Sequence, residues 1–333
     1  MSEFLLAFAF TLAFLLSLYG TPLAQKAAYR YRIFDQPDGK LKKHSQPVPY
    51  LGGLIVYFAF IAPISLVVDF NQHLLGILFA SSILLLIGLF DDLKALTPGI
   101  KFLFQIVATY ILLKSGIVID LVFLPGWLDI ALSFIWVLTA INAFNIIDIM
   151  DGLATSVGAM GALTLFVVSL YSGDFLISIL ALSLAAALLA FLRFNWEPAR
   201  IYLGDTGSMV LGMLIGALAM MVSYTRLNRL AFVSGLFVLG IPLFDLAYVI
   251  ILRVLKGRSP FLGSQDHFAL RLRKKNNWSA QKTVTAILAM QLCLSALVVA
   301  NCLSTPDFTM LSGAAVVSFF IGLGVVLARV KME

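Results

Sequence analysis

Long apolar segments separated by short polar ones run through the whole chain. A membrane-spanning helix needs about 20 mostly apolar residues, because each residue rises 1.5 Å through a hydrocarbon core roughly 30 Å thick. Eleven segments are apolar around their whole circumference, which excludes ordinary amphipathic surface helices. The pattern predicts an all-α membrane protein, a polytopic bundle of about 11 transmembrane helices in a single integral-membrane domain (1–333). The predicted spans are 4–21, 51–68, 74–90, 100–118, 130–146, 154–171, 175–192, 207–224, 231–251, 284–303 and 308–328.

Basic residues are concentrated in alternate loops. One set of loops, together with the adjoining helix ends, holds 20 of the 23 Lys and Arg residues, and the other set holds only Lys114, Arg226 and Arg229. The positive-inside rule therefore predicts that the N-terminus lies outside and the C-terminus lies in the cytoplasm. The predicted cytoplasmic loops are 22–50, 91–99, 147–153, 193–206 and 252–283.

The composition excludes several classes of protein. Of the 333 residues, 61% are hydrophobic and only 12% are charged, which excludes a soluble enzyme and a disordered chain. Two cysteines, Cys293 and Cys302, stand in one apolar segment and cannot form a disulfide framework. The net charge of +6 follows from the membrane topology, so we expect the lipid bilayer and not nucleic acid as the partner. Because the external loops are short, we expect the chemistry on the cytoplasmic face.

Five aspartates mark the cytoplasmic ends of three predicted spans. At the bilayer centre they would together cost on the order of 15 kcal/mol, so they must lie at the interface or in a wet cleft. Two carboxylates about 5 Å apart repel by about 3 kcal/mol at an effective dielectric of 20, and a divalent cation relieves this repulsion. Magnesium with phosphate oxygens in its shell is the natural choice. An isolated Asp-Asp pair is usually a solvated helix cap, but three groups on one face favour a functional site. The five are Asp91, Asp92, Asp148, Asp151 and Asp205.

The sequence around these aspartates favours phosphate binding. On a helical path Asn145, Asp148 and Gly152 lie on one side, with Asp151 within about a hundred degrees of Asp148. Residues 202–208 supply a helix N-terminus with glycines and hydroxyl groups, and such a terminus favours anions. A plain N-cap by an aspartate or threonine is the alternative for that segment.

Four motifs, in order along residues 35–267, resemble those of the polyprenyl-phosphate N-acetylhexosamine-1-phosphate transferases, which are glycosyltransferases of family 4. Each motif is short, and the order of all four is what makes the resemblance specific. They are the opening segment 35–53, then Phe90-Asp91-Asp92-Leu93-Lys94, then residues 142–153 with Asn142, Asn145, Asp148 and Asp151, and then residues 202–208 with Tyr202, Gly204 and Asp205.

The resemblance implies a Mg2+-dependent phosphotransferase, with Mn2+ as a substitute ion. Such enzymes move a sugar-1-phosphate from a UDP-sugar to polyprenyl phosphate and release UMP, in the plasma (inner) membrane, for cell-wall, lipopolysaccharide or teichoic acid synthesis. UDP-N-acetylglucosamine is the first choice of donor, and phospho-MurNAc-pentapeptide transfer is the alternative. A homodimer is compatible with this assignment.

The resemblance also implies roles for individual residues. Asp91, Asp92 and Asp148 are the expected catalytic residues, and Asp205, Asp91 and Asp92 are the expected metal ligands. The nucleotide-sugar is expected to contact Asn145, Asp148, Asp151, Asn195, Tyr202, Lys94 and His267.

The chain departs from the family pattern in two places. Ile149 stands where the family usually has Gly, and Ala269 and Leu270 stand where it has further histidines. We hypothesise that Arg271 and Arg273 replace that positive charge, since Arg binds phosphate bidentately.

Four questions stay open at this point. Asp245, behind Pro242, is either a buried polar contact or a cleft residue. The GxxxG spacing of Gly212 and Gly216 is most simply a helix-packing face. Direct attack by the lipid phosphate and a covalent Asp intermediate are both compatible with the motifs, and we favour direct attack. An ion-coupled secondary transporter is the competing class, although carriers place their charges near the bilayer midplane.

Overall fold

The computed structural model describes residues 2–35, 47–226, 228–257, 259 and 265–332. Most of the opening motif, including His44, and the Pro260-Phe261 pair lie outside the described residues. In the described residues the regular structure is helical apart from one antiparallel pair of strands, β1 (Phe34–Asp35) and β2 (Val48–Pro49), in which Phe34 pairs with Pro49. The helices are α1 Ser2–Tyr31, α2 Gly52–Val67, α3 Gln72–Leu93, α4 Pro98–Lys114, α5 Gly126–Ile147, α6 Leu153–Ser172, α7 Phe175–Asn195, α8 Gly204–Met221, α9 Ser234–Val238, α10 Gly240–Leu255, α11 Phe268–Asn276, α12 Ala280–Leu303 and α13 Pro306–Ala328.

The helices confirm an all-α protein that crosses the membrane several times. Within the described residues, eight helices are long and apolar enough to span a bilayer, namely α1, α3, α5, α6, α7, α8, α12 and α13. Each of the eleven predicted spans overlaps a helix, but α2 and α4 have only 16 and 17 residues. The count of eleven spans and their orientation therefore stay predictions.

The predicted span 231–251 is not one straight helix. A 3₁₀ helix over Arg229–Val233 continues into α9, and this pair meets α10 at an angle of 67°. The carbonyl oxygen of Val238 lies four residues before Pro242, which has no N–H to donate, and the side-chain amide of Gln291 on α12 donates to it at 3.1 Å. Pro242 lies in the first turn of α10, where a missing N–H does no harm.

Helix α8 lies at the centre of the bundle and contacts α2, α3 and α5. Gly212 and Gly216 confirm the predicted packing face, because a Cβ at Gly212 would lie 2.5 Å from the carbonyl oxygen of Ala140 on α5. The indole N–H of Trp136 donates to the carbonyl of Gly216 at 2.9 Å and fixes the same contact. Small residues thus let α5 and α8 approach closely, which sets the two helices that carry the middle and last motifs side by side.

The loops next to the site are shorter than the hydrophobic pattern predicts. Helix α1 continues to Tyr31, although its apolar stretch ends near residue 21. The loop 252–283 contains the short helix α11, whose last turn holds Arg273, Lys274 and Lys275. These segments are too polar for a span, so hydropathy alone places them in loops.

Candidate active site

The N-terminal turn of α8 is the centre of the candidate site. Gly204 begins the helix with φ +72°, a backbone conformation that a side chain would strain, and a Cβ there would meet the carboxylate of Asp92 at 2.6 Å. Two further glycines let neighbouring helices touch the same turn: a Cβ at Gly88 on α3 would lie 2.5 Å from Thr206, and one at Gly53 on α2 would lie 2.2 Å from Gly207. The sequence therefore brings α2, α3 and α8 together around Asp205.

Asp92, at the end of α3, binds the N-terminus of α8. Its Oδ1 accepts the backbone N–H of Asp205 at 2.9 Å, and its Oδ2 accepts the N–H and the hydroxyl of Thr206 at 3.1 and 2.6 Å. N–H groups of a helix N-terminus lack helical partners and carry partial positive charge, so a carboxylate is stabilised there. Asp92 fixes the backbone that carries Asp205, and both of its oxygens are already occupied.

Asp91 and Asp205 share a cation. The Lys101 Nζ atom lies 2.7 Å from Asp91 Oδ2 and 2.6 Å from Asp205 Oδ2. The other Asp91 oxygen accepts the N–H of Leu96 at 2.6 Å, which holds the short α3–α4 connection. One ammonium group therefore balances two carboxylates from helices that are more than a hundred residues apart in sequence.

Asn145 on α5 completes the environment of Asp205. Its amide Nδ2 donates to Asp205 Oδ1 at 2.9 Å and to Ser208 Oγ at 3.0 Å. One turn deeper, Asn142 donates to Gln105 Oε1 at 2.8 Å, which ties α5 to α4 below Lys101. The polar side chains of α5 thus serve both as a contact to the acid and as a link between helices.

Asp148 differs from the other acids because its carboxylate makes no hydrogen bond or ion pair with any described residue. It caps the C-terminus of α5 just outside the membrane-spanning segment. Burial, and then the charges of Asp205, Asp92 and Asp151, raise the pKa of Asp148 to about 8. We call Asp91, Asp92, Asp148 and Asp205 the acidic cluster. Four carboxylates with one nearby ammonium leave it with excess negative charge.

The acidic cluster fits a magnesium site in which the protein supplies only one or two carboxylate ligands. Among the described residues, no three His, Cys, Asp or Glu side chains form a metal site by themselves. Magnesium, however, is usually held by one or two carboxylates, with substrate phosphates and water as its remaining ligands. Asp205, whose side chain is 29% exposed, and Asp148, which has no polar partner among the described residues, supply oxygen atoms of the kind that such an ion binds.

Three residues predicted to contact the nucleotide lie around the loop between α7 and α8. Asn195 is buried, and its side chain bonds to other parts of the protein. Thr155 donates to its Oδ1 at 2.7 Å, and its Nδ2 donates to the carbonyl of Ile201 at 3.0 Å. Asp151 accepts the N–H of Ala199 at 2.8 Å. These bonds shape the loop 196–203 on which Tyr202 stands.

The segment that ends the opening motif holds Tyr202 in place. The Tyr202 N–H donates to the carbonyl of Pro49 at 2.8 Å, and the Gly52 N–H donates to the carbonyl of Tyr202 at 3.1 Å. The rings of Tyr50 and Tyr202 lie 6.1 Å apart. Backbone pairing therefore joins the first motif to the last and presents two aromatic rings beside the acidic cluster.

Lys101 is the functional residue that the sequence reasoning missed. Lys94 had been expected to face the diphosphate, but its side chain is exposed and makes no polar contact in the described part of the chain. Lys101 counted only toward the basic bias of the cytoplasmic loops. One feature of the sequence could have indicated its role. Lys101 lies in the first turn of α4, and a cation is unfavourable at the positive N-terminal end of a helix unless an acidic side chain lies close to it.

The side chain of His267 contacts Asp245 and none of the four aspartates of the acidic cluster. Its Nδ1 atom lies 2.8 Å from Asp245 Oδ2, and both side chains are buried. Next to it, Asp266 accepts from Lys256 at 2.5 Å and from Arg271 at 2.6 Å.

The same arrangement accounts for Arg271. Its guanidinium also donates to the carbonyl oxygens of Leu327 and Val330 at 3.2 and 2.6 Å, and it is 2% exposed. The hypothesis that Arg271 binds phosphate is therefore wrong, because its Nη1 and Nη2 atoms are engaged inside the protein. Arg273 is exposed.

Comparison with known proteins agrees with the motifs. A family profile described as glycosyl transferase family 4 matches residues 74–223, which include the acidic cluster. A Bacillus subtilis (strain 168) protein named "Probable undecaprenyl-phosphate N-acetylglucosaminyl 1-phosphate transferase" is 30% identical over 273 residues, which cover 79% of this chain and 76% of the relative.

Two further relatives show the same similarity at lower identity. The undecaprenyl-phosphate alpha-N-acetylglucosaminyl 1-phosphate transferase of Escherichia coli (strain K12) is 24% identical over 86% of this chain and 80% of its own length. A decaprenyl-phosphate N-acetylglucosaminephosphotransferase from Mycolicibacterium smegmatis is 28% identical over 69% of this chain and 66% of its own length. The similarity thus extends well beyond the matched profile.

Proposed function

The chain belongs to glycosyl transferase family 4, and on that premise we propose that it transfers N-acetylglucosamine-1-phosphate from UDP-N-acetylglucosamine to undecaprenyl phosphate and releases UMP. It is a multi-pass membrane enzyme that transfers a sugar-1-phosphate to a polyprenyl phosphate. The identity of the sugar, the prenyl length, the plasma-membrane location and the use of magnesium are parts of the proposal. The observation that carries it is the acidic cluster at the ends of α3, α5 and α8, in which Lys101 contacts both Asp91 and Asp205.

Transfer between two anionic partners requires charge neutralisation and alignment more than covalent help. Asp205, with Asp91, would hold a magnesium ion, which when bound neutralises the diphosphate and stabilises the leaving UMP. Lys101 supplies a second positive charge at the same point, since its ammonium lies within 2.7 Å of both carboxylates. Asn145 keeps Asp205 in one orientation through its 2.9 Å hydrogen bond.

The acids of α3 have different tasks. Asp92 is a positioning residue, because three donors of Asp205 and Thr206 engage its two oxygens. Asp91 is the group that accepts the proton of the lipid phosphate. An oxygen of that phosphate then forms a bond to the β-phosphorus of the donor, the bond from the β-phosphorus to the bridging oxygen breaks, and UMP leaves. Isolation of an acyl-phosphate on Asp91 or Asp92 would overturn this direct route.

The substrates reach the site from two directions. The acids stand at helix ends, so a polyprenyl phosphate can stay in the bilayer with its head group at the interface while the nucleotide-sugar arrives from water. Tyr202 and Tyr50 provide aromatic surface for the base, and Asp151 and Asn195 hold the loop that carries Tyr202. A carrier would instead place its charged groups at the midplane, in broken helices. Among the described residues one span is bent, and its Asp245 is within hydrogen-bond distance of His267.

The test is UMP release by the purified protein. We expect release from UDP-N-acetylglucosamine only when polyprenyl phosphate and magnesium are both present, and none from UDP-MurNAc-pentapeptide. Preference for UDP-MurNAc-pentapeptide would replace the proposed donor. Inactivity with every UDP-N-acetylhexosamine, together with solute flux in vesicles, would favour the carrier instead.

A further inference from the structure

A second layer of polar side chains lies one helical turn below the acidic cluster. Gln105 on α4 is 3% exposed, and its Oε1 accepts a hydrogen bond from Asn142 Nδ2 on α5 at 2.8 Å. Its own Nε2 lies 3.6 Å from the sulfur of Met209 on α8. Asn142 Nδ2 also donates to the carbonyl of Leu138 at 2.7 Å, which holds this amide against its own helix. One glutamine thus joins α4, α5 and α8 inside the bundle.

The same three helices carry the contacts to Asp205. Lys101 Nζ lies 2.6 Å from Asp205 Oδ2, and Asn145 Nδ2 donates to Asp205 Oδ1 at 2.9 Å. Residues three or four positions apart share one face of a helix, and each helix has one such residue in each layer. The pairs, with the residue of the upper layer first, are Lys101 and Gln105 on α4, Asn145 and Asn142 on α5, and Asp205 and Met209 on α8. The lower layer therefore sets which turn of α4 faces which turn of α5.

The first two turns of α4 are poorly anchored by packing. In the described chain no residue in the range 98–104 is buried, and Lys101 is the one residue of that range that is partly buried. Gln105 is the first buried residue of the helix. Ahead of the helix, the Leu96 N–H bonds to Asp91 Oδ1, and that bond ties the segment to α3. Besides its own ion pairs, Lys101 is therefore positioned relative to α5 and α8 by the contacts of Gln105.

Stability alone does not account for an amide at position 105. A methionine has nearly the volume of glutamine and brings no polar group that needs a partner. Hydrogen bonds between membrane helices add little to stability, because the separated helices also find partners. What the bond between Gln105 and Asn142 adds is a fixed distance and direction. A slide of α4 by one residue would move Gln105 by about 1.5 Å and break the bond. The same slide would carry Lys101 away from Asp205.

We propose that Gln105 is a positioning residue of the transfer reaction, which fixes α4 against α5 through Asn142 so that the Lys101 ammonium stays on the Asp205 carboxylate. The inference rests on the proposed function, in which Lys101 supplies positive charge to the donor's diphosphate. The lysine side chain is long and flexible, so its backbone must be fixed before its ammonium can act at one point. Gln105 itself touches no substrate and acts through the lysine one turn above it.

Acetylation of lysine side chains tests the proposal without turnover. The purified protein is treated briefly with N-hydroxysuccinimidyl acetate in magnesium-free buffer, and mass spectrometry of its peptides gives the rate at each lysine. Lys101, held by two carboxylates, should react about tenfold more slowly than the exposed Lys94. Gln105→Met keeps the volume and removes the acceptor of Asn142, so we expect the rate at Lys101 to rise by at least about threefold and the rate at Lys94 to stay the same. An unchanged rate at Lys101 would overturn the proposal.

Asn142→Ala removes the same hydrogen bond from α5. It should speed the acetylation of Lys101 as Gln105→Met does, and it decides the question alone if Gln105→Met does not fold. A rate at Lys101 equal to that of the wild type in Asn142→Ala would overturn the proposal.

Kinetics test the consequence for the reaction. Gln105→Met should lower kcat for UMP release by about tenfold and change the KM for UDP-N-acetylglucosamine by less than about threefold, because a displaced charge costs most where charge develops on the leaving UMP. In the Lys101→Gln background the same change should lower kcat by less than about twofold, since Gln105 acts only through the lysine. Losses that multiply would overturn the proposal, and so would an unchanged kcat in the single variant.

Gln291→Met is the matched control. Gln291 is also a buried glutamine that joins two helical segments, through the carbonyl of Val238, and neither residue belongs to α4 or to the acidic cluster. The acetylation rate at Lys101 and kcat should stay at their wild-type values. Faster acetylation of Lys101 in Gln291→Met would contradict the proposal, since the rate would then report general loosening of the bundle. If the wild-type enzyme releases no UMP from any UDP-sugar, the proposed function fails, and the acetylation rates still decide whether Gln105 positions Lys101.

Discussion

Two groups of aspartates lie in this protein, and they differ in how their charge is balanced. In the acidic cluster, Lys101 contacts two of the four carboxylates, those of Asp91 and Asp205, and Asp148 has no polar partner among the described residues. In the second group, which we call the α11 clamp (Asp245, Lys256, Asp266, His267 and Arg271), each acid contacts at least one cation or imidazole.

The pKa values of the two groups follow this difference. Burial and the charges of its acidic neighbours raise the pKa of Asp148 to about 8. Burial alone would also raise the pKa of Asp266, but hydrogen bonds and charge from Lys256 and Arg271 outweigh it and lower that pKa to about 2. Acids whose negative charge is paired with a cation stabilise the fold. Clustered acids without enough cations repel one another in the absence of a ligand, and a bound cation relieves that repulsion.

The largest effect is expected from Asp205→Asn, which removes the carboxylate of the acidic cluster that contacts both Lys101 and Asn145. Because this acid is the proposed magnesium ligand, we expect kcat/KM for UMP release to fall by about a thousandfold or more. Asp69→Asn, at an exposed position outside both groups, is the control and should leave the rate unchanged. Loss of less than about tenfold in Asp205→Asn would remove the acidic cluster from the reaction.

Lys101→Gln removes the one ammonium group in the acidic cluster and should lower kcat/KM by about a hundredfold, since a charged contact to the diphosphate is lost. Steady-state UMP release checks this. Lys94→Gln separates the structure from the motif-based expectation. The exposed Lys94 makes no polar contact with the described residues, so its replacement should lower kcat/KM by less than about threefold. The reverse order of the two losses would show that the motif identified the correct lysine.

Asp148 predicts a pH dependence of magnesium activation. Below a pKa of about 8 the carboxyl holds a proton that the cation must displace, so the magnesium concentration for half-maximal activity should decrease by about tenfold between pH 6.5 and 8.5. Rates measured across magnesium titrations at each pH check this. In Asp148→Asn the dependence should disappear, and its persistence would assign the titration to another group.

The smallest effect on activity is expected from Arg271 of the α11 clamp. Arg271→Gln leaves Asp266 with Lys256 alone and frees the carbonyl groups at the end of α13, which should lower stability by about 3–5 kcal/mol. The thermal unfolding midpoint in detergent should therefore fall, while kcat at low temperature changes less than about threefold. A large loss of kcat with an unchanged unfolding midpoint would indicate that Arg271 binds the substrate after all.

The sequence predicts the spans and the site to different extents. Apolar length predicts the long helices because the bilayer forces them, but not the polar helix α11, and motif order predicts the family, which the 30%-identical relative confirms. The 67° bend before α10 is not visible in hydropathy, since the two halves together are apolar enough to be taken as one span. The pairing of Tyr202 with Pro49 and Gly52 was also missed, because such pairing depends on backbone groups that are distant in sequence.

The roles of Lys101 and Asp92 could not be predicted from the sequence either, because they depend on how the helices pack in three dimensions. Lys101 resembles any loop-flanking cation until α4 is packed against α3 and α8. Asp92 resembles its neighbour Asp91 in sequence, but adjacent helical residues point about a hundred degrees apart, so one reaches Lys101 and the other reaches the backbone of α8.

Binding of a divalent cation to the purified protein tests most directly whether the acidic cluster is built for one. Electron paramagnetic resonance of Mn2+, titrated in the presence of UDP, counts bound ions without requiring turnover. We predict one ion per chain in the wild type and in Asp266→Asn, and none bound with comparable affinity in Asp205→Asn. Equal binding by Asp205→Asn and the wild type, or no stoichiometric binding at all, would contradict the account.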